Sequence, residues 1–245
     1  MENFSDLTAA ILAGGLGRRL RAVVPDQPKV LVKVHGRPFL QYILEQIAHL
    51  KIGKVVLCTG YLGERIEACF HDSYKNLRLV YSREAFPLGT GGALRLALPL
   101  FGSGTVIVLN GDSYCNVDLV SFWEWHCAQK AEASILLVEQ ADTRRYGRIE
   151  TDGTGRVINF EEKNQQGGKG WINGGIYLLT NQFLQSIPER KVVSLERETF
   201  PSWIGSGLYG YKTLGRFLDI GTPESYRVAA EFFDEDIQKW VNADS

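Results

Sequence analysis

The residues best equipped for chemistry in this chain lie between positions 9 and 29. Ala9-Ala10-Ile11-Leu12-Ala13 leads into Gly14, Gly15 and Gly17, followed by Arg18, Arg19 and, after Gln27-Pro28, Lys29. An apolar run that ends in glycines and three basic side chains is suited to gripping a polyphosphate. Glycine lets the backbone adopt positive φ and approach a ligand closely. Exposed amides in such a turn form an anion nest, to which Arg19 and Lys29 add full charges. Neither standard phosphate loop fits: no Lys-Ser or Lys-Thr follows the glycines as in a P-loop, and Leu20 stands where a dinucleotide fingerprint needs its third glycine. An isolated Gly-Gly-x-Gly is equally an ordinary turn, but two arginines and Pro28-Lys29 in the same loop favour phosphate.

Those residues need a scaffold, and the sequence predicts one. Thr8 to Ala13 reads as a strand. Phe39, Leu40, Ile43, Leu44, Ile47 and Ala48 fall at helical spacing, with Gly53 beyond them. Lys54 to Thr59 reads as a buried strand, Glu64 to Phe70 as a helix, Leu77 to Tyr81 as a strand, Gly91 to Leu98 as a helix and Thr105 to Asn110 as a strand. This alternation predicts an α/β fold, a Rossmann-like mixed, mostly parallel sheet with helices on both faces. Ligands in such folds bind at the carboxyl ends of the strands. The glycine loop, Pro87-Leu88-Gly89-Thr90-Gly91-Gly92 and Asn110-Gly111-Asp112 all fall there. Past Ala131 the rhythm shortens, with strands expected at Tyr146 to Glu150, Val157 to Glu161 and Trp171 to Leu179, then a last helix from Pro223 to Phe233. This half is expected to extend the sheet, making residues 1–245 one domain, with a nucleotide-binding half to about 130 and the remainder after it.

Bulk properties narrow the partners. The chain has 245 residues, 44% of them hydrophobic, and a formal net charge of -1. A nucleic-acid or membrane-surface binder usually carries a basic excess, so a small-molecule partner is expected. Cys58, Cys69, Cys115 and Cys127 include no Cys-x-x-Cys pair, which suggests neither a zinc knuckle nor a disulfide framework. Acids near the N-terminus and the lack of a long apolar run predict a cytoplasmic protein without a membrane span. His35, His49, His71 and His126 make no ligand pattern.

Several motifs together resemble the sugar-1-phosphate nucleotidyltransferases. Leu12 to Leu20 with Pro28-Lys29 looks like that family's opening signature. Pro87-Leu88-Gly89-Thr90, Asn110-Gly111-Asp112, Tyr146-Gly147, Glu161-Glu162-Lys163, Asn173-Gly174-Gly175 and Leu218 to Pro223 follow in the family's order. Within the family, Asn173 to Tyr177 and Ser194 to Pro201 look most like the D-glycero-α-D-manno-heptose 1-phosphate guanylyltransferases. Arg18 departs from the pattern, where threonine is usual, and receives no role.

The resemblance implies transfer of a nucleotidyl group from an NTP, GTP in the subfamily, to a sugar 1-phosphate, with release of pyrophosphate. It implies that Leu12, Ala13, Gly14, Gly15 and Gly17 cradle the triphosphate, that Arg19 neutralises the departing β and γ phosphates, and that Lys29 stabilises charge at the α-phosphate. Pro87, Leu88, Gly89 and Thr90 would shape the base pocket. Tyr146, Gly147, Glu162, Lys163 and Asn173 would bind the sugar. Asp112 and Asp219 would hold Mg2+, which takes few protein ligands and keeps water. Glu84 is a candidate acceptor for a guanine edge, against the simpler reading of a surface acid. A homodimer is plausible by the same resemblance, and a fused β-helix acyltransferase domain is not expected.

The implied chemistry needs no general base, since a phosphate monoester loses its second proton at about pH 6. It needs positioning and charge neutralisation. The alternatives are a mannose- or glucose-1-phosphate enzyme with another base, a non-catalytic nucleotide-sugar-binding subunit, and a glycosyltransferase. The last would typically carry Asp-x-Asp where this chain has Gly111-Asp112-Ser113.

Overall fold

The computed structural model describes residues 4, 7–15, 17, 19, 20, 24, 26–50, 52–102, 104–161 and 167–234. The first half alternates as expected: β1 (Thr8–Leu12), a ribbon of β2 (Lys33–Val34) and β3 (Arg37–Pro38), α1 (Phe39–Ala48), β4 (Lys54–Thr59), α2 (Gly63–Phe70), β5 (Ser73–Tyr74), β6 (Leu77–Arg83), α3 (Gly89–Ala97) and β7 (Val106–Asn110). β1 lies at the centre, parallel to β4 on one side and to β7 on the other, and β6 adds in parallel beyond β4.

Strand periodicity divides the core between the two faces. Ala9, Ile11, Val55, Leu57, Ile107 and Leu109 join a cluster with Ile43, Leu44 and Ile47 of α1 and Ile66 of α2. Their sequence neighbours Ala10, Val56, Cys58, Val106 and Val108 face the other way, against Leu94 and Ala97 of α3. With both faces covered, these strands need apolar residues at every position, which is why they read as continuous apolar runs.

The second half continues with β8 (Ser113–Cys115), α4 (Leu119–Gln129), β9 (Ala133–Gln140), β10 (Arg148–Thr151), β11 (Val157–Glu161), β12 (Gly170–Leu179), α5 (Asn181–Gln185), a π-helical turn (Leu195–Thr199), α6 (Phe200–Ser202), β13 (Leu208–Thr213), β14 (Phe217–Asp219) and α7 (Pro223–Arg227). β12 pairs antiparallel with β7, so the sheet runs unbroken into this half, to the order β11-β10-β12-β7-β1-β4-β6-β5 with β9 added beside β12 and β13 beside β9. Its register with β9 shifts between Asn173 and Tyr177, around two glycines. β8 and β14 leave the main sheet as a ribbon of their own.

The sequence patterns do not announce β2, β3, β5, β8, α5, β13 or β14, and three further elements also differ from expectation. β9 is a buried strand that periodicity does not announce, because Ile135–Val138, behind Ala133-Ser134, is one apolar run with the look of either a strand or a buried helix. The strand expected from Tyr146 starts only at Arg148, since the Tyr146 N–H turns back to the Thr143 carbonyl at 2.8 Å and leaves Tyr146-Gly147 in a loop. The last helix is broken: Thr222 and Ser225 form a capping box, α7 ends at Arg227, and helical backbone resumes at 229–234 after Val228. Among the described residues no helix is long and apolar enough to cross a membrane.

Candidate active site

Two cavities open at the carboxyl ends of the central strands and share the wall formed by Asn110 and Asp112. The first, about 510 Å3, is lined by Leu12, Ala13, Gly14, Gly15, Gly17, Lys29, Pro87, Gly89 and Thr90, with Cys58 and Glu84. The glycine loop, the Pro87–Thr90 segment and the end of β7 therefore meet in one place. Backbone bonds fix this convergence: Ala13 N–H donates to Cys58 at 2.8 Å, and Gly111 N–H donates to Leu12 at 2.9 Å. Gly17 adopts φ +57, a left-handed conformation suited to glycine. Leu88 is an exception among the expected base-pocket residues, because its side chain is buried and only its neighbours line the cavity.

Glu84 is half-buried in this cavity and is not a surface acid. One carboxylate oxygen accepts from the Leu88 N–H at 2.9 Å. The other lies against two glycines, such that a Cβ on Gly14 would come within 2.7 Å of it and one on Gly60 within 2.5 Å. Burial pushes the Glu84 carboxyl above its ordinary range, with the Leu88 N–H opposing that shift.

The second cavity, about 640 Å3, is lined by Arg19, Ser113, Arg145, Tyr146, Gly147, Asn173, Ser194, Glu196, Arg197 and Asp219, among others. Arg19 thus faces this cavity across Asp112 from the glycines. Tyr146 stands between the Arg145 guanidinium, 5.8 Å from its ring centroid, and Phe217 at 6.0 Å. Asn173 donates to the Tyr177 hydroxyl at 2.9 Å and accepts from the Gly175 N–H at 2.8 Å. Glu162 and Lys163 lie outside the described residues. The Lys212 ammonium lies 5.3 Å from the centroid of the Trp171 ring.

Lys29 lines the first cavity and reaches carboxylates that line the second. Pro28 fixes the backbone before a 3-10 turn that starts at Lys29, and the side chain is only 9% exposed. Its Nζ donates to Asp112 Oδ2 at 2.6 Å and lies 3.9 Å from Asp219 Oδ1. The ribbon explains how residues so far apart in sequence meet: Asp219 pairs with Ser113 across β8 and β14, and the Ile220 N–H donates to the Asp112 carbonyl at 3.0 Å. Burial first, then repulsion from Asp112, raise the Asp219 carboxyl, while Lys29 and the Gly221 N–H counteract. Two carboxylates sharing one ammonium form a site with unspent negative charge, which fits a divalent cation. Among the described residues no cluster holds three or more potential metal ligands, so a metal here would complete its shell with phosphate oxygens and water.

Sequence reasoning assigned no role to Arg145, Ser194, Glu196 or Arg197, although all four line the second cavity. Arg145 had a signal in its neighbour Tyr146. Glu196 had one in the Ser194 to Pro201 segment, which stood out only as a likeness.

The sequence matches the family described as nucleotidyl transferase over residues 8–236. The chain is 36% identical to D-glycero-alpha-D-manno-heptose 1-phosphate guanylyltransferase of Aneurinibacillus thermoaerophilus, over 91% of this chain and 96% of that protein. It is also 36% identical to mannose-1-phosphate guanylyltransferase of Mycobacterium tuberculosis, over 89% of this chain but only 62% of that longer protein. Among solved structures, HddC from Yersinia pseudotuberculosis superposes with a TM-score of 0.82 at 34% identity, covering 93% of this chain and 99% of that one, and has also been crystallised with GMP-PN. The chain belongs to the nucleotidyl transferase family.

Proposed function

We propose that this protein transfers a guanylyl group from GTP to a sugar 1-phosphate, D-glycero-α-D-manno-heptose 1-phosphate in particular, releasing pyrophosphate. The observation that carries this reading is Lys29, held between Asp112 and Asp219 where the two cavities meet. A dianionic sugar phosphate attacking a triphosphate needs alignment and compensation of charge more than a base. The nucleotide would occupy the first cavity, with its phosphates along Gly14, Gly15 and Gly17. The sugar would occupy the second, against Tyr146, Gly147 and Asn173, with Glu162 and Lys163 completing it. The α-phosphorus would then lie beside Lys29, whose ammonium neutralises charge that builds up in the transition state. Arg19 adds a second positive charge from the sugar side.

Asp112 and Asp219 would hold Mg2+, which when bound supplies further charge compensation at the phosphates. The choice of GTP is supported by Glu84, because guanine presents adjacent N–H donors on its pairing edge and a carboxylate is an acceptor. The names of the Aneurinibacillus and Yersinia relatives support the same base and, for the first, the heptose. The test is pyrophosphate release with Mg2+ for GTP, ATP, UTP, CTP and dTTP against heptose, mannose, glucose and N-acetylglucosamine 1-phosphates. Turnover confined to GTP with the heptose is expected; turnover with another pair would correct the substrates, and silence in folded protein would overturn these substrates in favour of an untested sugar or a nucleotide-sugar-binding subunit.

A further inference from the structure

The segment that carries Glu196 is built into the wall of the other cavity. The Val193 N–H donates to the Leu88 carbonyl at 2.8 Å, and the Gly91 and Gly92 N–H groups return to the Val193 carbonyl at 2.9 and 3.2 Å. The Leu195 N–H donates to Thr90 Oγ1 at 2.8 Å. Packing is so close that a Cβ on Gly92 would lie 2.7 Å from the Lys191 carbonyl, and one on Gly89 would run into the Val193 carbonyl. Gly89 and Thr90 line the first cavity, whereas Ser194, Glu196 and Arg197 line the second. Two stretches about a hundred residues apart thus form one unit with a face in each site.

Within that unit the hydrogen bonds have a direction. Thr90 Oγ1 has its N–H partner in Leu195 and donates to Glu196 Oε2 at 2.8 Å, which also accepts from Ser194 Oγ at 2.9 Å. The Tyr177 hydroxyl receives Asn173 Nδ2 at 2.9 Å and Asn110 Nδ2 at 3.3 Å, and donates to Glu196 Oε1 at 3.3 Å. Tyr177 is fully buried, and burial keeps its hydroxyl protonated. Donors from the nucleotide wall and the sugar wall therefore end on one carboxylate. A carboxylate offers about four lone-pair sites, and three hydroxyls occupy Glu196, leaving capacity for one more donor from the cavity it lines. Glu196 is presented by the π-helical turn Leu195–Thr199, a wound-out geometry that is frequent at functional sites.

We infer that Glu196 is a positioning residue that couples the two substrate sites: Thr90, fixed when the nucleotide fills the first cavity, holds Glu196 in the orientation that accepts a sugar hydroxyl. The inference rests on the two-substrate reading above. Coupling of this kind is reciprocal, so the sugar phosphate must tighten nucleotide binding by the factor with which the nucleotide tightens sugar binding.

The test is calorimetric titration of full-length protein, in Mg2+, with the unreactive α,β-methylene analogue of GTP, alone and in the presence of D-glycero-α-D-manno-heptose 1-phosphate. In the wild-type protein the heptose phosphate is expected to tighten the analogue about tenfold. Thr90→Val and Glu196→Gln should each bring that factor to about one, while Thr90→Ser, which keeps the hydroxyl, should retain it; retention in the serine variant separates lost coupling from a damaged fold. A factor that survives in both Thr90→Val and Glu196→Gln overturns the coupling and leaves the functional reading intact. Heptose affinity lowered equally with and without the analogue would make Glu196 a plain sugar contact and overturn it as well. Failure of the wild-type protein to bind the analogue or the heptose phosphate overturns the functional reading and the coupling together.

Discussion

The two cavities share a wall but are made in different ways. The first is lined largely by near neighbours in sequence, Leu12 to Gly15 with Gly17, and Pro87, Gly89 and Thr90, and glycine backbone makes up much of its wall. The second collects single side chains from Arg19 to Asp219, delivered by loops, a bulged strand, a π-helical turn and a two-stranded ribbon. Backbone geometry recognises what all nucleotides have in common, a phosphate chain, and needs little besides glycine and charge. Side chains from scattered positions can change one at a time, as would suit the part of the site proposed to take the sugar.

That contrast is sharpest at Lys29, which lines the first cavity while its ammonium reaches Asp112 and Asp219, carboxylates that line the second. Lys29→Ala is expected to lower kcat by about 10^2 to 10^3-fold, the scale on which a transition-state charge partner acts. The KM for GTP should change far less. Asp112→Ala and Asp219→Ala should lose turnover at least as severely, with the fold retained by circular dichroism. A Lys29 variant altered only in KM would reduce that residue to a binding role and leave the boundary between the cavities without a reacting centre.

Glu84 is where the first cavity departs from backbone recognition, so it should carry base choice alone. Glu84→Gln keeps the shape but exchanges one acceptor for a donor facing guanine. The ratio of kcat/KM for GTP over ATP should fall about 10 to 100-fold, corresponding to one buried polar group left unpaired at roughly 1–3 kcal/mol. An unchanged ratio would place base discrimination in the backbone as well. Gly89→Ala attacks the same wall sterically, since Gly89 has φ +74 and a Cβ there meets the Val193 carbonyl. A loss of about 1–3 kcal/mol in urea unfolding is expected, together with weaker binding in both cavities because the 88–92 and 191–199 stretches are tied together.

The same contrast explains what the sequence made legible. In the first half β1, β4 and β7 are short apolar runs and α1 is periodic, so the strands and helices of the parallel sheet from Thr8 to Asn110 could be read locally, whereas the two-residue strands β2, β3 and β5 could not. Lys29 and Asp112 were legible as residues, but their 2.6 Å ion pair was not, because it joins positions 83 apart, and the approach of Asp219 depends on a ribbon that pairs positions about a hundred apart. Arg19 could be recognised as a charge, yet which cavity it faces depends on the fold of the loop after Gly17. Glu196 was invisible as a site residue for the same reason: its aim is set by contacts to Leu88 and Thr90, which no spacing within Ser194 to Pro201 records.

A control region should respond to neither cavity. His126 of α4 is buried at 3% exposure, shares a 2.8 Å hydrogen bond with Ser134 of β9 and stacks on Trp123. Burial brings its pKa down from the usual 6.5 to about 4. Between those values the unfolded chain binds a proton that the native protein does not, so stability is complete above about pH 6.5 and declines as pH falls toward 4. The full decline is about 3 kcal/mol at 1.36 kcal/mol per pK unit. Urea midpoints for wild type and His126→Gln across pH 4 to 7.5 should show a steeper acid loss in wild type, whereas kcat at pH 7.5 should be nearly equal. The carboxylates near the cavities also titrate in acid but are common to both proteins, so the difference between the two curves isolates His126. Equal slopes would mean that the imidazole takes up its proton as readily in the native protein as in the unfolded chain, and a fall in kcat would show that the α4–β9 packing reaches the site through β12, making the second cavity more dependent on distant packing than its lining residues suggest.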